Sequence, residues 1–186
     1  MQKKAYHHGN LKHEMIEAGL AYIGEHGVSD LSMRKLAEIC GVSSAAPYAH
    51  FENKQAFLEA VQAHITSLFT EELEHSVKNC KDEKKIFIDL GVSYVLFFKK
   101  NPLYYSFLFT YGKIDVKTYP PYVFFSDISR QVLSAMHIDE EGIRNKTLAM
   151  WSMVQGLSGL SLMDGVLNQR SIKKEIEAIL GSVSIS

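Results

Sequence analysis

An all-α protein is predicted from three observations. Apolar residues recur every three or four positions along most of the 186-residue chain, no stretch alternates in the manner of a strand, and the four prolines all fall within residues 47–121. The first helix begins at Leu11, where Leu11, Met15, Ile16, Gly19, Tyr22 and Ile23 share a face. It ends at Gly27, a residue type that closes helices in the left-handed conformation. Ser32 is the N-cap of a second, short helix whose stripe is Met33, Leu36, Ala37 and Cys40. Gly41 ends that helix. A third short helix, capped by Ser43 or Ser44, carries Pro47 in its first turn and finishes near Phe51. Asn53 then caps a much longer helix, with Phe57, Leu58, Val61, Ile65, Leu68, Phe69 and Leu73 facing inward.

After the polar run KNCKDEKK a second part begins near Cys80. One helix covers Lys84–Lys99, and Asn101–Pro102 breaks it, because the residue before a proline is pushed out of the helical region. A short aromatic helix, LYYSFLFTY, follows. The stretch YGKIDVKTYPP reads as a loop from its glycine and prolines. Helices over Tyr122–Met136, Glu141–Asp164 and Ile172–Leu180 complete the chain.

Composition narrows the function classes. With 46% hydrophobic and 22% charged residues the chain has the balance of a soluble globular protein. A formal net charge of −1 gives no overall affinity for a polyanion, so any such affinity is local. Cys40 and Cys80 make no disulfide framework, and a reducing, cytoplasmic location is expected. The basic start MQKKAYHHGN has no apolar run after it and does not read as an export signal. The most apolar stretches are too short to span a bilayer, so no membrane association is expected. There is no HExxH or CxxC, and His8 and His13 are not at i, i+4, so neither a metal nor a cofactor is expected. Paired carboxylates on one helix face, a nucleophile–base motif and a phosphate loop are all missing, so an enzyme is not expected.

The segment GVSSAAPYAHFENK, Gly41–Lys54, is the most informative. Two short helices joined by GVS make a helix-turn-helix, and proline near the start of the second is tolerated because first-turn N–H groups lack intrahelical partners. Small residues at its leading end let the backbone approach a surface closely. In a helix-turn-helix that surface is the DNA major groove. Ala45 and Ala46 suit thymine methyls and Ser44 suits a base or phosphate, while Tyr48, His50 and Lys54 suit phosphate oxygens. Against this, six cations balance six anions up to residue 54, and the second short helix lacks the Arg, Asn or Gln that read bases bidentately. The competing arrangement is a buried helical hairpin with Tyr48 and Phe51 as core. A separate alternative, which the balanced charge keeps open, is a helical small-molecule or protein-binding module that has no DNA role.

Residues Leu11–Val61 resemble the N-terminal domain of the TetR family of transcriptional regulators. Gly27, Ser32–Met33–Arg34, Leu36–Ala37, Gly41–Val42–Ser43, Tyr48, Phe51, Lys54 and Leu58 fall in that family's register. The preceding YHHGN is similar to the lead-in of one subgroup, and NPLYYSFLF and WSMVQGLSGL resemble that subgroup's second half, with Gln155 where histidine is usual. The resemblance implies a ligand-responsive repressor: an all-α homodimer of about nine helices. An N-terminal three-helix helix-turn-helix domain (1–54) would join through a long helix (55–79) to a ligand-binding and dimerisation domain (80–186). It implies DNA contacts from Ser32, Arg34, Ser43, Ser44, Ala45, Ala46, Tyr48, His50 and Lys54. Its partners would be a double-stranded palindromic operator, a small effector and a second copy of the chain.

The aromatic content of the second part gives candidate pocket residues, Phe87, Tyr94, Phe97, Phe98, Tyr104, Phe107, Leu108, Tyr111 and Trp151, and suggests an apolar or aromatic effector of little charge. The helices at Tyr122–Met136 and Thr147–Asp164, the latter rich in small residues, are candidate dimer surfaces through Phe125, Ser129, Val132, Met150, Met153, Gly156, Leu157 and Leu160. His7 and His8 are expected in an arm near DNA.

Overall fold

The structure, a computed structural model, describes residues 11–182 apart from 79, 81 and 169. Lys3, Lys4, His7 and His8, and with them the expected arm, lie outside the described residues. Among the described residues there are eight α-helices, one 3-10 helix and no strand, as the periodicity predicts. None of the helices is long and apolar enough to cross a membrane. The chain divides into two compact units, one ending at Ile65 and including Leu103–Gly112, the other made of Thr66–Pro102 and the residues from Lys113 onward.

In the first unit α1 (Leu11–His26) buries Leu11, Met15, Ile16, Gly19, Leu20 and Ile23. Gly27 closes it at φ +84, donating to the Ile23 carbonyl at 2.8 Å. The Ser32 hydroxyl accepts from the Lys35 N–H at 3.0 Å and starts α2 (Met33–Ile39). Gly41, at φ +66, turns the chain out of it. Asn53 starts α3 (Lys54–Val77), its side-chain oxygen accepting from the Ala56 N–H at 2.9 Å. Phe57, Val61 and Ile65 are the buried positions of α3 in this unit.

Gly19 is where α1 meets α3. A Cβ there would lie 2.4 Å from Cζ of Phe57 and 3.1 Å from Cδ1 of Leu36. Phe57 is fully buried and edge-on to Phe51 at 5.1 Å, so its ring has nowhere to go. Gly19→Val is therefore expected to overpack the unit and lower its unfolding free energy by about 1–3 kcal/mol, read as a lower urea midpoint at unchanged slope.

Helix α5 (Pro102–Thr110) contributes Leu103 and Tyr104 to this unit. The Leu103 side chain occupies the space beside α1 that the missing Cβ of Gly24 leaves open. Residues 103–112 thus group with the N-terminal residues, whereas the sequence pattern places them in the C-terminal part. The reason is one of side-chain fit to α1, which helical periodicity does not encode.

In the second unit the C-terminal half of α3 carries Phe69 and Leu73. It is joined by α4 (Glu83–Lys100), α6 (Pro120–Ala135), α7 (Glu140–Ser161) and α8 (Ile172–Ser182). Helix α4 packs on α7 and α8, and α6 packs on α7. Gly91 lets α4 come close, since a Cβ there would lie 2.6 Å from Leu180 and 3.2 Å from Val154. Asp139 caps α7 by accepting from the Gly142 N–H at 2.8 Å. The predicted helices all exist, with bounds that move by one to three residues.

Candidate functional site

The recognition segment differs in form from the expectation. It is a 3-10 helix of four residues, Ala46–Ala49, with Ala45 as N-cap and no side-chain cap, so neither Ser43 nor Ser44 caps it. The chain is pinned at Gly41 and again at Phe51, which is 3% exposed. The tighter i→i+3 bonds of a 3-10 helix fit the short span between. The Ala46 N–H donates to Ser43 O at 2.9 Å, Tyr48 N–H to Ala45 O at 3.1 Å, and both His50 and Phe51 N–H to Pro47 O. Pro47, in the first turn, is buried.

Around this anchor the side chains point outward. Ser43, Ser44 and Ala45 are exposed, Ala46 and His50 half-buried, and Tyr48 is 58% exposed. The buried hairpin with Tyr48 as core is thereby excluded, and Phe51 is core. Ser32 and Arg34 are exposed at the start of α2. Lys54 opens α3 and its ammonium donates to the Ser29 carbonyl at 3.3 Å, which braces it against the α1–α2 turn. The nine candidate DNA-contact residues thus all belong to the first unit, and the slim leading end is open to solvent. Its electrostatics stay modest. Lys35 is paired with Glu38 at 3.1 Å, leaving Arg34 as the exposed cation of α2.

The candidate pocket residues are shared between the two units. Tyr104, Phe107, Leu108 and Tyr111 belong to the first unit, and Tyr111 is 46% exposed. Phe87, Tyr94, Phe97, Phe98 and Trp151 belong to the second unit and join an aromatic cluster. Phe69 of α3 lies 4.8 Å from Tyr94, 5.0 Å from Phe97 and 4.7 Å from Phe98, ring centre to ring centre. Trp151 is edge-on to Tyr94 at 5.0 Å and to Tyr122 at 5.2 Å. The Tyr94 hydroxyl donates to the Gln155 side-chain oxygen, so the residue standing where the resembling subgroup has histidine holds a core tyrosine in place.

Tyr119 is the residue that sequence reasoning missed. It sits in the stretch expected to be loop, yet it is 5% exposed and its ring faces Trp151 at 6.5 Å. Its hydroxyl is buried and finds no hydrogen-bond partner among the described residues. Burial pushes its pKa upward, and the nearby Thr66 side chain offsets this only in part. A buried hydroxyl without a partner costs about 1–3 kcal/mol. Tyr119→Phe is accordingly expected to leave stability in urea unchanged or raised, and a loss above about 1 kcal/mol would show that the hydroxyl is already satisfied.

The candidate dimer residues separate by burial. Phe125, Ser129, Val132 and Leu157 are buried within a single chain, so they pack the unit's own interior and have no free surface to offer. Met150 and Met153 are half-buried, and Gly156 and Leu160 are exposed. The outer face of α7 is lined by Leu148, Ala149, Ser152, Gly156 and Leu160, with exposed Met163 just past its end. Leu148 and Met163, which belong to this face, lie outside the sequence-based set.

One further group is brought together only by the fold. In the first unit His13 and Glu17 of α1 meet His64 of α3, and one ligand atom from each lies within 4.8 Å of the others. The signal in the sequence was His13–Glu17 at i, i+4, a mixed pair that a search for paired histidines passes over.

Residues 15–61 match the family model described as bacterial regulatory proteins, tetR family. The chain is similar to the class A tetracycline repressor protein from transposon 1721 of Escherichia coli, 39% identical over 74 residues, covering 40% of this chain and 33% of that protein. It spans between about a quarter and two-fifths of the length of the curated relatives it matches. Its fold is shared with a protein of unknown function from Rhodococcus sp. RHA1, at TM-score 0.78 and 22% identity, covering 97% of this chain and 96% of that one. It is also shared with AibR in complex with isovaleryl coenzyme A and operator DNA, at TM-score 0.69 and 16% identity, covering 91% and 97%.

Proposed function

We propose that this chain, whose N-terminal domain belongs to the tetR family of bacterial regulatory proteins, is a cytoplasmic, dimeric, ligand-responsive repressor of transcription and not an enzyme. The observation that carries the proposal is the exposure of Ser43, Ser44, Ala45 and Tyr48 around a buried Pro47 and Phe51. A soluble domain gains nothing by holding a large aromatic side chain out on a rigid turn. A DNA reader gains backbone contacts from Tyr48, His50, Ser32, Arg34 and Lys54, and close approach to base edges from Ser43, Ser44, Ala45 and Ala46.

The switch is proposed to work through α3, which is one continuous helix from Lys54 to Val77. Its C-terminal half places Phe69 in the aromatic cluster and Thr66 near the Tyr119 hydroxyl, and Glu72 accepts from the Ser93 hydroxyl of α4 at 3.0 Å. A small apolar or aromatic effector with one polar group, held by Tyr119 beside Trp151, would shift Phe69 and hence the helix that carries Lys54. A preference of about 1–3 kcal/mol for one helix position over the other is enough for regulation. The dimer is proposed to form through the outer face of α7, where small residues permit close helix approach.

The balance of cations and anions up to residue 54 favours a second reading, a helical binding module without a DNA role. A gel shift of the full chain on the DNA upstream of its own coding region separates the two. A discrete retarded band that survives excess unrelated DNA is expected, and no such band would favour the second reading.

A further inference from the structure

From the meeting of His13, Glu17 and His64 we infer that the first unit holds a divalent transition-metal ion of the zinc class, bound by two imidazoles and one carboxylate. This inference stands independently of the DNA-binding reading. His13 and Glu17 are one helical turn apart on α1 and share a face, and His64 reaches them from α3. Nε2 of His64 is 3.0 Å from Oε1 of Glu17, and the rings of His13 and His64 meet edge to face at 4.9 Å. The three ligand atoms lie within 4.8 Å of one another.

A tetrahedral zinc ion with bonds of about 2.0–2.1 Å sets its ligand atoms roughly 3.3 Å apart. The His64–Glu17 pair is already close to that. His13 is exposed and has the rotational freedom to close the rest. Nitrogen and carboxylate donors select zinc, nickel, copper or cobalt over magnesium or calcium. Three protein ligands leave one position for water or another donor.

A simple ion pair between His64 and Glu17 would need only one histidine. The second imidazole, edge to face with His64 and with a ring nitrogen within 4.8 Å of a carboxylate oxygen of Glu17, supplies the further donor that a cation would use. The surroundings also suit a ligand set. The Tyr104 hydroxyl donates to Oε1 of Glu17 at 3.2 Å, the kind of outer hydrogen bond that orients a carboxylate ligand. Binding would cross-link α1 to α3, 47 residues apart in sequence, and raise the melting temperature of the folded chain.

The test uses the full chain, stripped with a chelator and titrated with Zn2+ in competition with a chromophoric zinc indicator at neutral pH. One ion per chain is expected, and Co2+ in its place should give the visible absorption of a tetrahedral nitrogen–oxygen site. The double variant His13→Ala/His64→Ala should lose both signals, and Tyr104→Phe should weaken zinc about 10–100-fold. His75→Ala, away from the cluster, should bind as the parent does. Glu17→Gln keeps the side-chain shape and should also weaken binding, which serves if circular dichroism shows the double variant unfolded. The inference is overturned if the parent chain binds no ion. It is equally overturned if stoichiometry and affinity are unchanged in the double variant or in Glu17→Gln, which would place the ion at other histidines.

Discussion

Gly156→Arg is expected to convert the proposed dimer to a folded monomer and to lower affinity for the proposed operator at least a thousandfold. Gly156 lies on the outer face of α7, and a Cβ built there meets nothing within 4 Å in the single chain. The substitution therefore costs the protomer nothing in packing, and replacing a mid-helix glycine favours the helix by up to about 1 kcal/mol. At a helix–helix interface the same side chain blocks close approach and buries an unpaired charge, a penalty of about 3–5 kcal/mol. The loss falls on DNA binding because a dimer reads two half-sites and a lone protomer reads one. Specific complexes are typically about 10³–10⁷ tighter than non-specific ones. Sedimentation velocity and circular dichroism check the first half of this expectation, and fluorescence anisotropy on operator DNA checks the second. A variant that stays dimeric would move the interface away from this face.

Ala45→Glu is expected to abolish specific DNA binding with the fold and the dimer intact. Ala45 is exposed and precedes the 3-10 helix, so a longer polar side chain there meets solvent. Surface changes of this kind alter stability by no more than about 0.5 kcal/mol. In the proposed complex the same carboxylate faces phosphates and base-edge acceptors, and like charges juxtaposed at an interface cost several kcal/mol. Each dimer brings two copies, so a fall of at least about 4 kcal/mol, or a thousandfold, is expected. The thermal melt should match the parent, while anisotropy on operator should show only non-specific, salt-sensitive binding. Retained specific affinity would mean that the leading end of the segment does not enter the groove.

The prolines show how far the sequence was legible. Pro47 was readable as a first-turn residue because a glycine turn and small residues precede it. The same rule applies to the other three: Pro102 opens α5, and Pro120 and Pro121 open α6. At Asn101–Pro102 the break and the new start coincide, and at Tyr119–Pro121 the glycine and lysines upstream make the stretch look like continuous loop. Tyr119 was hidden in this way, since its burial depends on Trp151, 32 positions later. On α7, Trp151, Val154 and Leu157 face inward while Leu148 and Leu160 face out. A helix apolar on two sides does not say by itself which side closes the chain's own core. The candidate DNA-contact residues were more legible because their exposure follows from local punctuation: Gly41 on one side, Pro47 and Phe51 on the other. His13, Glu17 and His64 were not legible as a set, because only tertiary packing brings α3 to α1.

The most direct measurement is selection of bound sequences by the full chain from a random pool of double-stranded DNA at physiological salt. A palindrome is expected, with half-site centres about 10–10.5 base pairs apart or a multiple of that, corresponding to about 34–36 Å per turn, and with enrichment lost in Ala45→Glu. No enrichment, or an enriched site unaffected by Ala45→Glu, would contradict a dimer that reads DNA through residues 43–50.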